Sequence, residues 1–587
     1  MRTRTTSRRF QELPTDSRLR WLRTAFLIIV GAALALESES SSEDPLAWIG
    51  FYFHSNVSSW LDCSIKDCSL KFADVKVILS VLEISLLAVF VLWLLVARKQ
   101  RKYFRFDKGT LLIPLLVFAG MLGLGLLNGV SRGGGDLTIA LWEVRGFLMM
   151  IAMYFLAGIF LTSEDHINSL VWVVFIAAGI LATDNILRWW FVYHYVSMDD
   201  LAYDHIDSVV LVFAALLAIN LLLFGGTRNQ RRYAMILLPV IFIAMEVMKR
   251  RAAFAILGVG VVAMTIIILR LRPRLFWQIV VPCLFLAGIY LIIFWNNTGT
   301  LGQPARAISS MITPDPRDYA SNIYRTIERA DILANISTSP ILGLGFGQPF
   351  LFYFALPDLS WWPFWHYTPH NAVLWVWLKD GALGFAALMW LLSRAVYDGS
   401  VALETQREQW DVVAALRRAL RRRRGRSSAQ GEKFPADLPL GFGVVRNRAR
   451  RAKASGRQRL RSERSEPEIA WNVPSWERSN DKKSHTAAPS GVIALLVSAI
   501  CLIPVQITFS YVDLGLTSER DLLLFGLILG VLARARVPLA TLGRIRDPEA
   551  RAARRRTRPG VPSASMQDEQ SAEPAGTVSS YPGDPLS

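Results

Sequence analysis

The chain is 587 residues long and 52% hydrophobic, with mean hydropathy +0.32 and a formal net charge of +18. A soluble protein of this length would divide into several domains with mixed surfaces. Here the apolar residues fall in runs of about 18–25, long enough to cross a hydrocarbon core of about 30 Å. That pattern excludes a soluble fold, and the positive charge reads as Arg clusters flanking apolar spans, with no nucleic acid as partner.

The expected fold class is an all-α polytopic membrane protein with about twelve transmembrane helices and one large extracytoplasmic loop. A basic N-terminus, residues 1–20, should lie in the cytoplasm. A transmembrane core follows over residues 21–394, with spans near 21–36, 75–97, 110–127, 141–161, 168–186, 207–226, 234–247, 252–269, 276–294 and 370–392. The first apolar stretch lacks a small-residue cleavage site and more spans follow it, which argues against a cleavable signal peptide. The sequence RKQRKYFRFDK after the second span marks the cytoplasmic side. Counting alternately, Lys249, Arg250 and Arg251 fall on the outer side, against the positive-inside trend. The longest outer segment is 295–369. A basic insert, residues 395–489, includes seven Arg in the ten residues 417–426. It should remain cytoplasmic, mostly disordered or as a short basic helix on anionic lipid. Spans near 491–509 and 521–532 complete the membrane region, residues 490–534. The tail, 535–587, is expected to be cytoplasmic and disordered. The chain is thus read as multi-pass in the inner or plasma membrane with both termini inside.

The cysteines say little about chemistry. Cys283 and Cys501 lie in apolar spans, while Cys63 and Cys68 share a polar loop where either a disulfide or two thiols would fit.

Chemistry-bearing residues gather at the outer ends of spans and in the 295–369 segment. NIYRTIERADILANI has helical periodicity: Ile323, Ile327, Ala330 and Ala334 share one face, and Arg325, Glu328, Arg329 and Ile332 the other. Arg325 and Glu328 can therefore be neighbours, as an ordinary surface ion pair or as part of a site. STSPILGLGFGQPF follows, where Gly343, Gly345 and Gly347 permit unusual backbone or close approach. The stretch is not a nucleotide-phosphate loop. WWPFWHYTPHNAVL then brings His366 and His370 within five residues at the mouth of an apolar helix. Asn371 can cap that helix, and His370 is either an interfacial histidine or a general base. Pro369 and the absence of nearby Cys or acidic partners argue against a metal at His366 and His370. The tryptophans 361, 362 and 365 suit sugar stacking and an interfacial belt equally. Arg250 and Arg251 present guanidinium forks where an anion could dock, with Arg145 as a further charge. Glu83, Asp184 and Glu246 lie in apolar context, and Glu246 is expected to pair with Lys249 or Arg250.

Taken in order, these motifs resemble the O-antigen ligase / O-antigen polymerase superfamily. The resemblance rests on Arg251-Ala252-Ala253 at a helix junction and on Arg325 in a loop helix. Pro340-Ile341-Leu342-Gly343-Leu344-Gly345 comes next, then His370-Asn371-Ala372-Val373-Leu374 and Gly381-Ala382-Leu383-Gly384. Two departures are Arg250-Arg251-Ala252 where Ser-Arg-Gly is usual, and the insert. The resemblance implies a membrane glycosyltransferase of surface polysaccharide assembly, polymerase or ligase; the outer loop has no Asp-x-Asp pair, so a reaction without metal or cofactor is expected. Its donor would be a glycan on polyprenyl (undecaprenyl) diphosphate and its acceptor a hydroxyl of a glycan or glycolipid. A chain-length regulator or a flippase would be further partners, beside membrane lipid. On that reading His370 or Glu328 is the catalytic base, and Arg251, Arg325, Arg250 and Arg145 bind the diphosphate. Asn371 and His366 position these groups. The alternative from a different class is a lipid-linked glycan flippase or transporter of the cell envelope.

Overall fold

The computed structural model describes residues 17–36, 53–54, 79–99, 109–192, 207–248, 250–297, 299–314, 316–357, 364–429 and 491–535. Cys63, Cys68, Lys249, Trp361, Trp362, most of the insert and the tail lie outside these residues. In chain order the helices are α1 (Ser17–Ala35), α2 (Val81–Lys99), α3 (Leu112–Ser131), α4 (Leu137–Phe160), α5 (Glu164–Leu187), α6 (Asp207–Phe224) and α7 (Arg228–Met248). They continue with α8 (Arg251–Leu271), α9 (Val281–Phe294), α10 (Gln303–Ile312), α11 (Pro316–Thr338), α12 (Ala372–Ala429), α13 (Gly491–Val512) and α14 (Glu519–Leu532). Each of the twelve expected spans coincides with one of these helices.

Among the described residues, nine helices are long and apolar enough to cross a membrane. The other three that correspond to expected spans fall short for visible reasons. α1 carries Arg18, Arg20 and Arg23, and α7 opens with Arg228, Arg231 and Arg232. α14 has 14 residues, a rise of about 21 Å against the roughly 30 Å of hydrocarbon. Among the described residues, length and composition alone thus support nine of the twelve expected crossings. Many apolar side chains of α2 and α9 point outward, among them Leu95, Phe285, Leu286 and Ile292. Such a surface needs lipid around it.

Caps follow from local sequence. Asp136 accepts from the Thr138 and Ile139 amides at 2.7 and 3.2 Å and opens α4. Ser163 and Ser518 do the same for α5 and α14, each followed by acidic residues in the first turn that suit the helix dipole.

The centre of the bundle is built from the end of the chain. α13 and α14 are buried along nearly their whole length. α14 lies against α4, where a Cβ on Gly526 would strike the Met150 backbone and one on Gly530 would meet Ala157. Two small residues four apart let the helices approach this closely, the usual means of helix association in lipid. The ends of these helices that meet the 295–371 segment are tied by buried charge. Arg145 on α4 bonds to Glu83 at 2.8 Å and to Glu519 at 2.7 Å, and Arg520 pairs with Asp207.

α12 departs most from expectation. It continues as helix through Ala429, the end of the insert's described part. It is also broken inside the span: Gly381 sits at φ 67°, ψ −176°.

Candidate active site

The segment between α9 and α12 carries the amphipathic helices α10 and α11 and then the Gly-rich loop. α11 lies with its second predicted face inward. Glu328, Asp331, Ile332, Asn335 and Ile336 are buried, whereas Ile323 and Leu333 are exposed. Polar residues on the inner face must find partners, and they do. Asp331 accepts from the Tyr353 and Phe354 amides at 2.8 and 2.9 Å. Asn335 exchanges two bonds with the Leu351 backbone, at 2.7 and 2.9 Å. Ile332 and Ile336 pack with Phe350 and Leu378, fastening α11 to α12.

The Gly-rich loop is threaded into the break of α12. At Gly381 the helical bond pattern stops, freeing carbonyls one turn earlier. The Leu344 and Gly345 amides take those of Leu378 and Lys379 at 2.7 and 3.0 Å, and Ala382 donates to the Pro340 carbonyl at 2.9 Å. Gly343 (φ 71°) and Gly345 (φ 93°) are left-handed, and a Cβ on Gly343 would lie 2.5 Å from the Lys379 oxygen. The two glycine motifs, far apart in sequence, are thus two halves of one joint. Beneath it Lys379 and Glu143 form an ion pair at 2.8 Å with both side chains fully buried, and the Gly347 amide donates to Glu143 at 2.5 Å.

This joint sets where α12 begins, and so where His370 stands. Asn371 Oδ1 accepts from the Leu374 amide at 3.0 Å and caps α12. His370 Nδ1 lies 3.1 Å from Glu328 Oε1, and the His370 amide donates to Glu328 Oε2 at 3.1 Å. Glu328 is 3% exposed, whereas the His370 side chain is 28% exposed. A carboxylate accepts only, so Nδ1 is the donor of this bond, and the neutral tautomer that makes it presents its lone pair on Nε2. The Tyr324 hydroxyl donates to Glu328 Oε1 at 3.4 Å, and its ring stands edge-on to the imidazole. Burial first, and then the Glu328 charge and hydrogen bond, push the Tyr324 phenol above its ordinary range. Its hydroxyl therefore keeps its proton and stays a donor.

Arg251, the first residue of α8, reaches α11 and pairs with Asp318 at 3.1 Å. Arg325 lies two helical turns beyond Asp318, about 10 Å along the same stripe of α11. It is half-buried and, among the described residues, makes no hydrogen bond or ion pair. The expected Arg325–Glu328 pair is thus replaced by Glu328–His370, and Arg329 turns away to the Tyr511 hydroxyl at 3.1 Å. Arg250 is the uncapped N-cap of α8, beside Arg251.

The remaining expected residues lie apart. Arg145 is enclosed by Glu83 and Glu519, so its charge is already matched within the bundle. His366 is in an aromatic cluster, 4.8 Å from the Phe352 ring and 4.2 Å from that of Trp365. Glu246 makes no ion pair among the described residues, and Asp184 pairs with Arg188 at 2.7 Å. Among the described residues no cluster of three His, Cys, Asp or Glu side chains could hold a metal.

Several residues here escaped the sequence reading. Lys379 had a usable signal, an ionisable residue inside an apolar run. Tyr324 and Asp318 had a weaker one, lying four residues before Glu328 and seven before Arg325 on one helix.

Residues 240–389 match the O-antigen ligase family (Wzy_C). That region, about a quarter of the chain, includes Arg251, α11, the Gly-rich loop, His370 and the Gly381 break, and leaves out Arg145, α13 and α14. No curated protein matches the chain.

Proposed function

We propose, from the match of residues 240–389 to the O-antigen ligase family and the many apolar helices, that this chain transfers a glycan from a polyprenyl-diphosphate donor to an acceptor hydroxyl. The family implies glycosyl transfer in surface polysaccharide assembly, with a lipid-linked glycan and a glycan acceptor. The finer reading rests above all on one observation, the contact of His370 with buried Glu328 on the helix that also presents Arg325 and meets Arg251.

In this mechanism the acceptor oxygen attacks the anomeric carbon of the donor sugar. His370 Nε2 takes the hydroxyl proton, and Glu328 holds Nδ1–H and stabilises the imidazolium. The bond between the anomeric carbon and the phosphate oxygen breaks, and its electron pair leaves with the polyprenyl diphosphate. Arg251 and Arg325 meet the charge gathering on that leaving group, with Arg250 beside them. Arg145 has no place in this step, because two carboxylates already neutralise it. Asn371 fixes the start of α12 and, through it, the position of His370. The step needs no metal. We place this end of the bundle outside the inner or plasma membrane, with both termini in the cytoplasm.

A flippase or transporter is not favoured. Transporters use broken helices to expose backbone carbonyls to an ion or substrate, but at Gly381 the freed carbonyls are taken by Leu344 and Gly345. The test is separate His370→Ala and Arg325→Ala substitutions, read as glycan product at matched protein level. Each should lose at least a hundredfold in rate, the low end of a general base or oxyanion contact. Full-length glycan at wild-type rate from both variants refutes the proposal.

A further inference from the structure

We propose that Asp318 is a positioning residue that acts through Arg251, holding its guanidinium to the loop helix before the donor arrives and yielding it to the donor's diphosphate. This rests on the reading of Arg251 as a diphosphate-binding cation.

The argument begins with charge at a helix terminus. α8 starts with Arg250 as N-cap and Arg251 as its first residue, and no side chain caps it. The start of a helix is already positive, and two guanidiniums there favour an anion. One anion that reaches Arg251 is Asp318, from the first turn of a different helix, α11. The pair is partly buried, with the side chains 27% and 15% exposed, at 3.1 Å. A diphosphate offers more charge and more acceptor oxygens than one carboxylate and can also engage Arg325 on the same stripe. Bound there, it would take the guanidinium and repel Asp318. The carboxylate is therefore a built-in competitor that keeps α11 registered on α8 while the site is empty.

The test uses full-length protein in detergent and inorganic pyrophosphate as probe, in metal-free buffer at low salt. Asp318→Asn should bind pyrophosphate about threefold to tenfold more tightly than wild type, the size of a partly exposed ion pair. Arg251→Ala should bind it more weakly, and Arg251→Ala/Asp318→Asn should match Arg251→Ala, because Asp318 acts only through that guanidinium. In glycan transfer Asp318→Asn should lower the donor KM without raising kcat. A folded Asp318→Asn that binds pyrophosphate no more tightly overturns the inference, as does equal tightening in the Arg251→Ala background. If Arg251→Ala itself binds pyrophosphate like wild type, the reading of Arg251 fails instead. A mutation-free measurement guards against misfolding: pyrophosphate should increase carbodiimide labelling of Asp318 in the wild-type protein. Unchanged or reduced labelling overturns the inference.

Discussion

Substituting Glu328 by Gln changes one atom and one charge, and the geometry dictates the consequence. Glu328 is buried and accepts three bonds, from His370 Nδ1 and the His370 amide at 3.1 Å each and from Tyr324 at 3.4 Å. An amide cannot accept at both ends. If its oxygen faces Nδ1–H, its NH2 faces the His370 amide and leaves a buried donor unmatched, at about 1–3 kcal/mol. If it is turned round, its NH2 faces Nδ1, the ring proton moves to Nε2, and the proposed base is lost. Either arrangement also removes the charge that stabilises the imidazolium. The expected loss is that of a general base, about 10²–10⁴ in kcat, or about 3–5.5 kcal/mol of barrier. The assay is glycan transfer by purified protein in lipid vesicles, normalised to folded protein, with thermal unfolding measured alongside. A folded Glu328→Gln variant within threefold of wild-type kcat refutes the dyad.

Arg145→Met should act on folding rather than on chemistry. It leaves the partly buried Glu83 and Glu519 without their cation, a loss below the roughly 3–5 kcal/mol of a fully buried pair, and the readout is membrane yield with kcat per folded molecule unchanged. Lys379→Met should be similarly destabilising because Glu143 is left alone, while the double variant Lys379→Met/Glu143→Met should recover most of the loss, since an apolar pair needs no compensation. Gly381→Ala should cost at least about 1–3 kcal/mol from backbone strain at φ 67°. It also drives a methyl into the Ile341 carbonyl. Limited proteolysis should then cut the Gly-rich loop more readily than in wild type.

Helix positions were legible because each apolar run states its own length, and every expected span has its helix. The order of the basic junction, loop helix, glycine motif and His-Asn was legible for the same local reason. Partner choice was not. Arg145 looked like a spare cation, yet its carboxylates come from α2 and α14, while Glu143, two residues before it, is taken by Lys379. Arg325 and Glu328, three apart, looked like a pair, yet the side chain that wins Glu328 arrives from the start of α12. Gly343, Gly345 and Gly347 read as permissive backbone, with no sign that their loop is inserted in a helix broken at Gly381.

By itself, then, the sequence determined an all-helical protein with many apolar spans, a family match over residues 240–389, and most of the residues from which a site could be built. Those properties depend on runs and spacings within a few turns of chain. Tertiary structure decided which charges are committed and which are open to a ligand, because an ion pair in a low-dielectric interior is fixed by whichever opposite charge packing brings within reach. It enclosed Arg145 in the bundle and lent Arg251 to Asp318. It set His370 against Glu328 and left Arg325, half-buried on the same helix as Glu328, without a partner among the described residues.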